Sequence, residues 1–146
     1  MNYEQARAYA VNVSRSGSIL GLDSIENLMH ELGDIQERPK IIHIAGTNGK
    51  GSTGAYLERV LIEAGYRVGR YSSPAVFDPM EVWRINLQSM SHEEYADIME
   101  QVKCACDRMV EKGMEHPTIF EVETAMAFLY FYQKKCDYVL MEVGMG

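Results

Sequence analysis

The stretch that decides the reading is Ile41-Ile42-His43-Ile44-Ala45-Gly46-Thr47-Asn48-Gly49-Lys50-Gly51-Ser52-Thr53. Its first five residues form a β-branched run of the kind found in a buried strand, with His43 read as a core histidine inside it. Gly46, Gly49 and Gly51 then place three glycines in six residues, so the backbone can turn tightly and approach a ligand closely. A helical pattern follows at Ala55, Leu57, Val60, Leu61 and Ala64, closed by Gly65. A turn between strand and helix aims backbone N–H groups at the space before the helix, where the helix dipole favours an anion. Lys50 adds a positive charge, and together these are the parts that cradle a nucleotide triphosphate. The segment departs twice from the P-loop pattern GxxxxGK[ST], with Ile44 at the first glycine position and Gly51 after the lysine. The alternative reading is a glycine-rich β–α turn with a solvated lysine.

Outward from this stretch the periodicity predicts helices at about 2–11, from Asp23 to Leu32 with Gly33 as its stop, from near Ser91, and from Thr118 to Lys135. The helix after Ser91 presents Tyr95, Ile98, Met99, Val102, Ala105 or Cys106, and Met109 on one face. Tyr66–Tyr71 and Asp137–Val143 read as further strands, and residues 75–90 as irregular or short strand. Strands alternating with helices of this length specify an α/β fold, a mostly parallel sheet flanked by helices. Ligands of such sheets bind beyond the carboxyl ends of the strands. Gly46–Ser52, Ser72-Ser73 and Glu142 all fall at such ends, and their convergence on one edge is the central expectation.

Glu142 closes an apolar strand, where a carboxylate needs donors or a cation. A Mg²⁺ ion bridging nucleotide phosphates would serve, and solvent or a lysine would serve equally. On spacing alone Ser73 is a turn residue before Pro74. Thr118-x-x-Glu121 is a capping box, which accounts for Glu121. His30, His92 and His116 read as surface or turn residues, the ten methionines as core packing, and Trp83 as either core or a stacking surface.

The chain has 146 residues, a formal net charge of −7, 47% apolar and 24% charged residues. This is the balance of one core-forming globular domain, and its acidity argues against a nucleic-acid partner held by general electrostatics. No apolar run reaches the roughly 18 residues of a membrane span, and the start lacks a signal-peptide pattern. The three cysteines, Cys104, Cys106 and Cys136, have neither disulfide nor zinc spacing. A monomeric cytoplasmic protein with no membrane or nucleic-acid partner is expected.

Ile42-His43-Ile44-Ala45-Gly46-Thr47-Asn48-Gly49-Lys50-Gly51-Ser52-Thr53 closely resembles the signature of the folylpolyglutamate synthase and dihydrofolate synthase family. Gly21-Leu22 resembles the family's opening, Tyr71-Ser72-Ser73-Pro74 its Ser-Pro turn, Thr118-Ile119-Phe120-Glu121 with Thr124–Phe128 its Phe-Glu helix, and Asp137–Gly146 its Glu-Val-Gly strand end. The resemblance implies a P-loop-like, Mur ligase-type ATPase domain. It implies that Gly46, Thr47, Asn48, Gly49, Lys50, Gly51, Ser52 and Thr53 hold the ATP phosphates and that Ser73 and Glu142 are ligands to Mg²⁺. A third ligand, a histidine, would fall beyond residue 146, and Glu121 is a supporting residue. Ala75 stands where the family often has His or an aromatic residue. Glu81-Val82-Trp83 replaces its Glu-Arg-Ile, with Arg84 nearby.

The reaction so implied is ATP-dependent ligation of L-glutamate to a folate or dihydropteroate carboxylate through an acyl phosphate. A muramoyl-type amino-acid ligase shares the Gly-Thr-Asn-Gly-Lys loop but usually carries Thr or Ser after the lysine, so Gly51 favours the folate branch. A non-catalytic nucleotide-binding module is the third reading. The resemblance also implies that residues 1–146 are the N-terminal part of the ATP-binding domain, with the rest of it and a C-terminal domain absent. Such a piece is expected to bind nucleotide weakly, if at all, and to be inactive alone.

Overall fold

The structure, a computed structural model, describes residues 1–15, 23–35, 39–44, 50–72 and 77–142. In chain order these give α1 (Tyr3–Ser14), α2 (Asp23–Glu31), β1 (Lys40–Ile44), α3 (Lys50–Glu63), β2 (Val68–Ser72), a one-turn 3-10 helix (Pro79–Val82), β3 (Trp83–Ile85), β4 (Gln88–Ser89), α4 (His92–Glu111), α5 (Ile119–Gln133) and β5 (Tyr138–Glu142). The chain divides into two compact units, Met1–Gln36 with His92–Tyr130, and Glu37–Ser91 with Phe131–Gly146.

The first unit is helical. α1 opens on a capping box, Asn2 accepting from the Gln5 N–H while the Gln5 side chain accepts from that of Asn2. α4 buries Tyr95, Ile98, Met99, Val102, Ala105, Cys106 and Met109, the face its periodicity predicts. The Tyr3 ring stacks on His92 at 3.7 Å between centroids. Glu31 accepts from Arg108 at 3.1 Å and from Lys112, and these two cations hold its carboxyl below the usual range. His116 is half-buried and shares a 2.6 Å hydrogen bond with the Tyr9 hydroxyl.

The second unit is a five-stranded sheet in the order β1-β5-β2-β3-β4. β1, β5 and β2 are parallel, while β3 and β4 add in antiparallel fashion beyond β2. The sheet is therefore mixed, and its antiparallel half lies in the segment whose sequence reads as irregular or short strand. The reason is its turn. Asn86 and Leu87 both take positive φ, 46° and 73°, and close a two-residue hairpin without the glycine that normally marks one. Asn86 compensates by accepting from the Val68 N–H at 2.8 Å and donating its own N–H to the Val68 carbonyl at 2.9 Å. Trp83 is core, 1% exposed.

α3 packs on one face of this sheet. Ile44, Val68 and Leu140 form the buried centre, joined by Ile42, Leu57, Leu61 and Ile62. The helix ends where Gly65 takes φ +96° and the Tyr66 N–H bonds the Leu61 carbonyl, a Schellman closure. Two expectations are corrected here. Ala55, Val60 and Ala64 are exposed, and the buried stripe instead carries Gly54 and Glu58. His43 is exposed rather than core, because β1 is the edge strand of the sheet and only Ile44 at its end is buried.

Gly69 on β2 sits against the ring of Phe131. A Cβ there would lie 2.6 Å from Cδ1 and 2.8 Å from Cγ of a fully buried side chain. Gly69→Ala should therefore cost about 1–3 kcal/mol of stability, read as a lower urea midpoint. Adding Phe131→Leu should restore part of it if the ring is the obstacle.

Candidate functional site

The register of the parallel strands places Ile44, Glu142 and Ser72 in one row, with β5 in the middle. These are the last residues of β1, β5 and β2, so the three strands end level, and neighbouring strands are about 4.8 Å apart. β1 leads into residues 45–49 and then α3, and β2 leads into Ser73. The first turn of α3 lies over this edge, since a Cβ on Gly54 would stand 3.2 Å from Ile44 Cδ1 and 2.9 Å from Arg70 Nη2. The fold thus brings the strand ends that carry the predicted segments to one sheet edge.

Of the individual residues, Gly46, Thr47, Asn48, Gly49 and Ser73 lie outside the described residues. Lys50, Gly51 and Ser52 are described only as the start of α3, and Thr53 is exposed on its first turn. Glu142 is at the edge with 12% of its side chain exposed. Its Oε2 accepts from Arg70 Nη2 at 3.1 Å and from Ser72 Oγ at 2.7 Å. The strand-end carboxylate thus has a cation, but it is an arginine of the adjacent strand. Glu121 belongs to the helical unit, where its Oε1 accepts from the Thr118 N–H at 2.9 Å and Thr118 Oγ1 at 3.0 Å. The capping box expected from Thr118-x-x-Glu121 is formed.

Behind Glu142 lies a charge network that the sequence reading missed. Arg70 Nη1 donates to Glu58 Oε1 at 3.1 Å, and Arg84 Nη2 is 3.7 Å from the same oxygen. Arg70 and Arg84 are direct cross-strand partners in β2 and β3. Two like charges so placed repel, and Glu58 reaches down from α3 to lie between them with 1% of its side chain exposed. A signal was present. Glu58 sits on the helical stripe Gly54, Leu57, Leu61, Ile62, and Arg70 stands mid-strand between Gly69 and Tyr71, so each buried charge requires the other.

A hard divalent cation takes oxygen donors, and Mg²⁺ is commonly held by one or two protein oxygens together with phosphate oxygens and water. Glu142 fits that donor set. Among the described residues no cluster of three or more His, Cys, Asp or Glu gathers to hold a metal, at this edge or away from it. Cys106 and Cys136 are buried thiols, each pushed up to about 12 by burial, and Cys104 is exposed.

No family model matches the chain. Individual proteins do. The dihydrofolate synthase/folylpolyglutamate synthase of Bacillus subtilis is 37% identical over 145 residues, covering 99% of this chain and 34% of its own length. The chain is homologous to the folylpolyglutamate and dihydrofolate synthases. A crystal structure of the Thermotoga maritima folylpolyglutamate synthase aligns with a TM-score of 0.88 at 37% identity, over 99% of this chain and 33% of that one. A folylpolyglutamate synthase solved with AMPPCP and folate aligns at 0.90 and 32% identity, over 100% of this chain and 36% of that one. The chain thus spans about a third of the length of these synthases, and its mixed sheet and flanking helix are the fold they contain.

Proposed function

We propose that this chain supplies the nucleotide-phosphate seat of an ATP-dependent ligase that joins L-glutamate to a folate or dihydropteroate carboxylate. The observation that carries this reading is the row Ile44–Glu142–Ser72, which gathers the approaches to the glycine-rich turn, the Ser-Pro turn and the acidic strand end. The kinship supports it, since one homologous structure holds both AMPPCP, an ATP analogue, and folate.

In this reading Gly46–Thr53 and Lys50 hold the phosphates, with amides and one ammonium group at the start of α3. Ser73 and Glu142 are the residues that would hold Mg²⁺, which offsets charge on the phosphates when bound. A carboxylate oxygen of the folate or dihydropteroate attacks the γ-phosphorus, the bond to ADP breaks, and an acyl phosphate results. The amine of glutamate then attacks the acyl carbon and phosphate leaves. The chain's work in the first step is positioning and charge neutralisation, and no side chain of its own need become a nucleophile.

The reading is tested by titrating AMPPCP with Mg²⁺ into the isotopically labelled chain and following amide shifts. Changes should concentrate at Ile44, Thr53, Gly54, Ser72 and Glu142. A titration that saturates with its shifts elsewhere, these amides staying unmoved, would refute the seat. In any longer form of the protein, ADP release should require a pterin acceptor and glutamate. Dependence on a UDP-sugar would point to the muramoyl-type reaction, and nucleotide binding without acceptor-dependent turnover to a non-catalytic module.

A further inference from the structure

Among the described residues, two carboxylates and two guanidinium groups meet behind the sheet edge. Glu58 and Glu142 are each bonded to Arg70, and Arg84 lies beside Glu58. Arg70 cannot readily leave. Its side chain is 7% exposed, Glu58 grips Nη1, and α3 closes over Nη2 so tightly that a methyl group on Gly54 would stand 2.9 Å away. The Ser72 hydroxyl donates to the same Glu142 oxygen as Arg70, so two donors fix the plane of that carboxylate.

We infer that Arg70, anchored by Glu58, is a positioning residue that turns free divalent cations away from Glu142, so that the metal arrives only in complex with nucleotide phosphates. A bare cation approaching Glu142 meets a guanidinium 3.1 Å from the carboxylate in a poorly solvated place. The repulsion between them is of the same order as the attraction that the carboxylate offers. A metal–triphosphate complex carries net negative charge, and Arg70 attracts it instead. The order of entry is then a property of this buried pair. The inference rests on the assignment of Glu142 as a metal ligand made above.

The test uses Mn²⁺ alone, with no nucleotide, followed by the loss of the free-ion electron paramagnetic resonance signal. The wild-type chain should bind Mn²⁺ poorly. Glu58→Leu with Arg70→Leu removes the opposing pair as a neutral unit and leaves Arg84, 27% exposed, to reach solvent. Affinity should then rise by about tenfold or more, because the charge removed beside Glu142 is the guanidinium 3.1 Å from it, while the Glu58 carboxylate lost with it lies beyond Arg70. Adding Glu142→Gln should abolish the gain. Circular dichroism checks folding, and the polar pair Glu58→Gln with Arg70→Gln replaces the apolar one if that variant does not fold. No gain in either folded pair, or a gain that survives Glu142→Gln, would overturn the inference. Neither result touches the nucleotide seat, which the AMPPCP titration tests separately.

Discussion

Replacing Glu58 by Gln should lower the unfolding free energy by about 3 kcal/mol, the lower end of what breaking a buried ion pair costs. The amide keeps the shape of the side chain but deletes the charge that separates Arg70 from Arg84 across β2 and β3. Arg70 retains Glu142, which is why the loss is not larger. Arg84, less buried, can turn to solvent. The measurement is a urea unfolding curve at low ionic strength. Glu58→Leu/Arg70→Leu/Glu142→Gln, which removes Arg70 together with both carboxylates it pairs with, should be less destabilised than Glu58→Gln, because buried ions removed together lose their attraction and their desolvation penalty together. Equal losses in the two variants would show that packing, and not the pairing of charge, is what Glu58 contributes.

The parts of this fold legible in the sequence are those where one physical signal acts alone. The apolar stripe of α4 repeats without interruption from Tyr95 to Met109, and the structure buries that stripe. Glu142 and the strand that carries it fall where a continuous apolar run ends. Where two signals compete, the reading fails. α3 has alanines and a valine on the side facing away from the sheet, so an apolar count favours Ala55, Val60 and Ala64 over the stripe that holds Gly54 and Glu58. The charge on the buried side is intelligible only with Arg70, twelve residues on in a different element. The hairpin at Asn86-Leu87 was hidden because its second turn residue is a leucine at φ +73°, a position where sequence patterns look for glycine. The candidate site shows the same division. That three strand ends share an edge follows from alternating strands and helices, whereas the arginine bonded to Glu142 follows from the order β1-β5-β2, which sets Arg70 beside β5.

Lys50→Ala should move binding and stability in opposite directions. α3 begins at Lys50 and has no acidic residue in its first turn. A cation there opposes the positive end of the helix dipole, at a cost of about 0.3–1 kcal/mol at low salt. Removing it should leave the unfolding midpoint unchanged or raise it slightly, and alanine is also the better helix former. If the same ammonium group meets the nucleotide phosphates, its loss removes a charged hydrogen bond contributing about 1.5–3 kcal/mol. Affinity for AMPPCP should then fall roughly 10- to 100-fold. Lys50→Arg, which keeps the charge but changes its shape, should fall between the two. A residue that weakens its own helix is intelligible when it serves a ligand. If Lys50→Ala binds AMPPCP as the wild type does, the lysine is a solvated side chain at a glycine-rich turn. The seat would then have to be built from backbone amides without it.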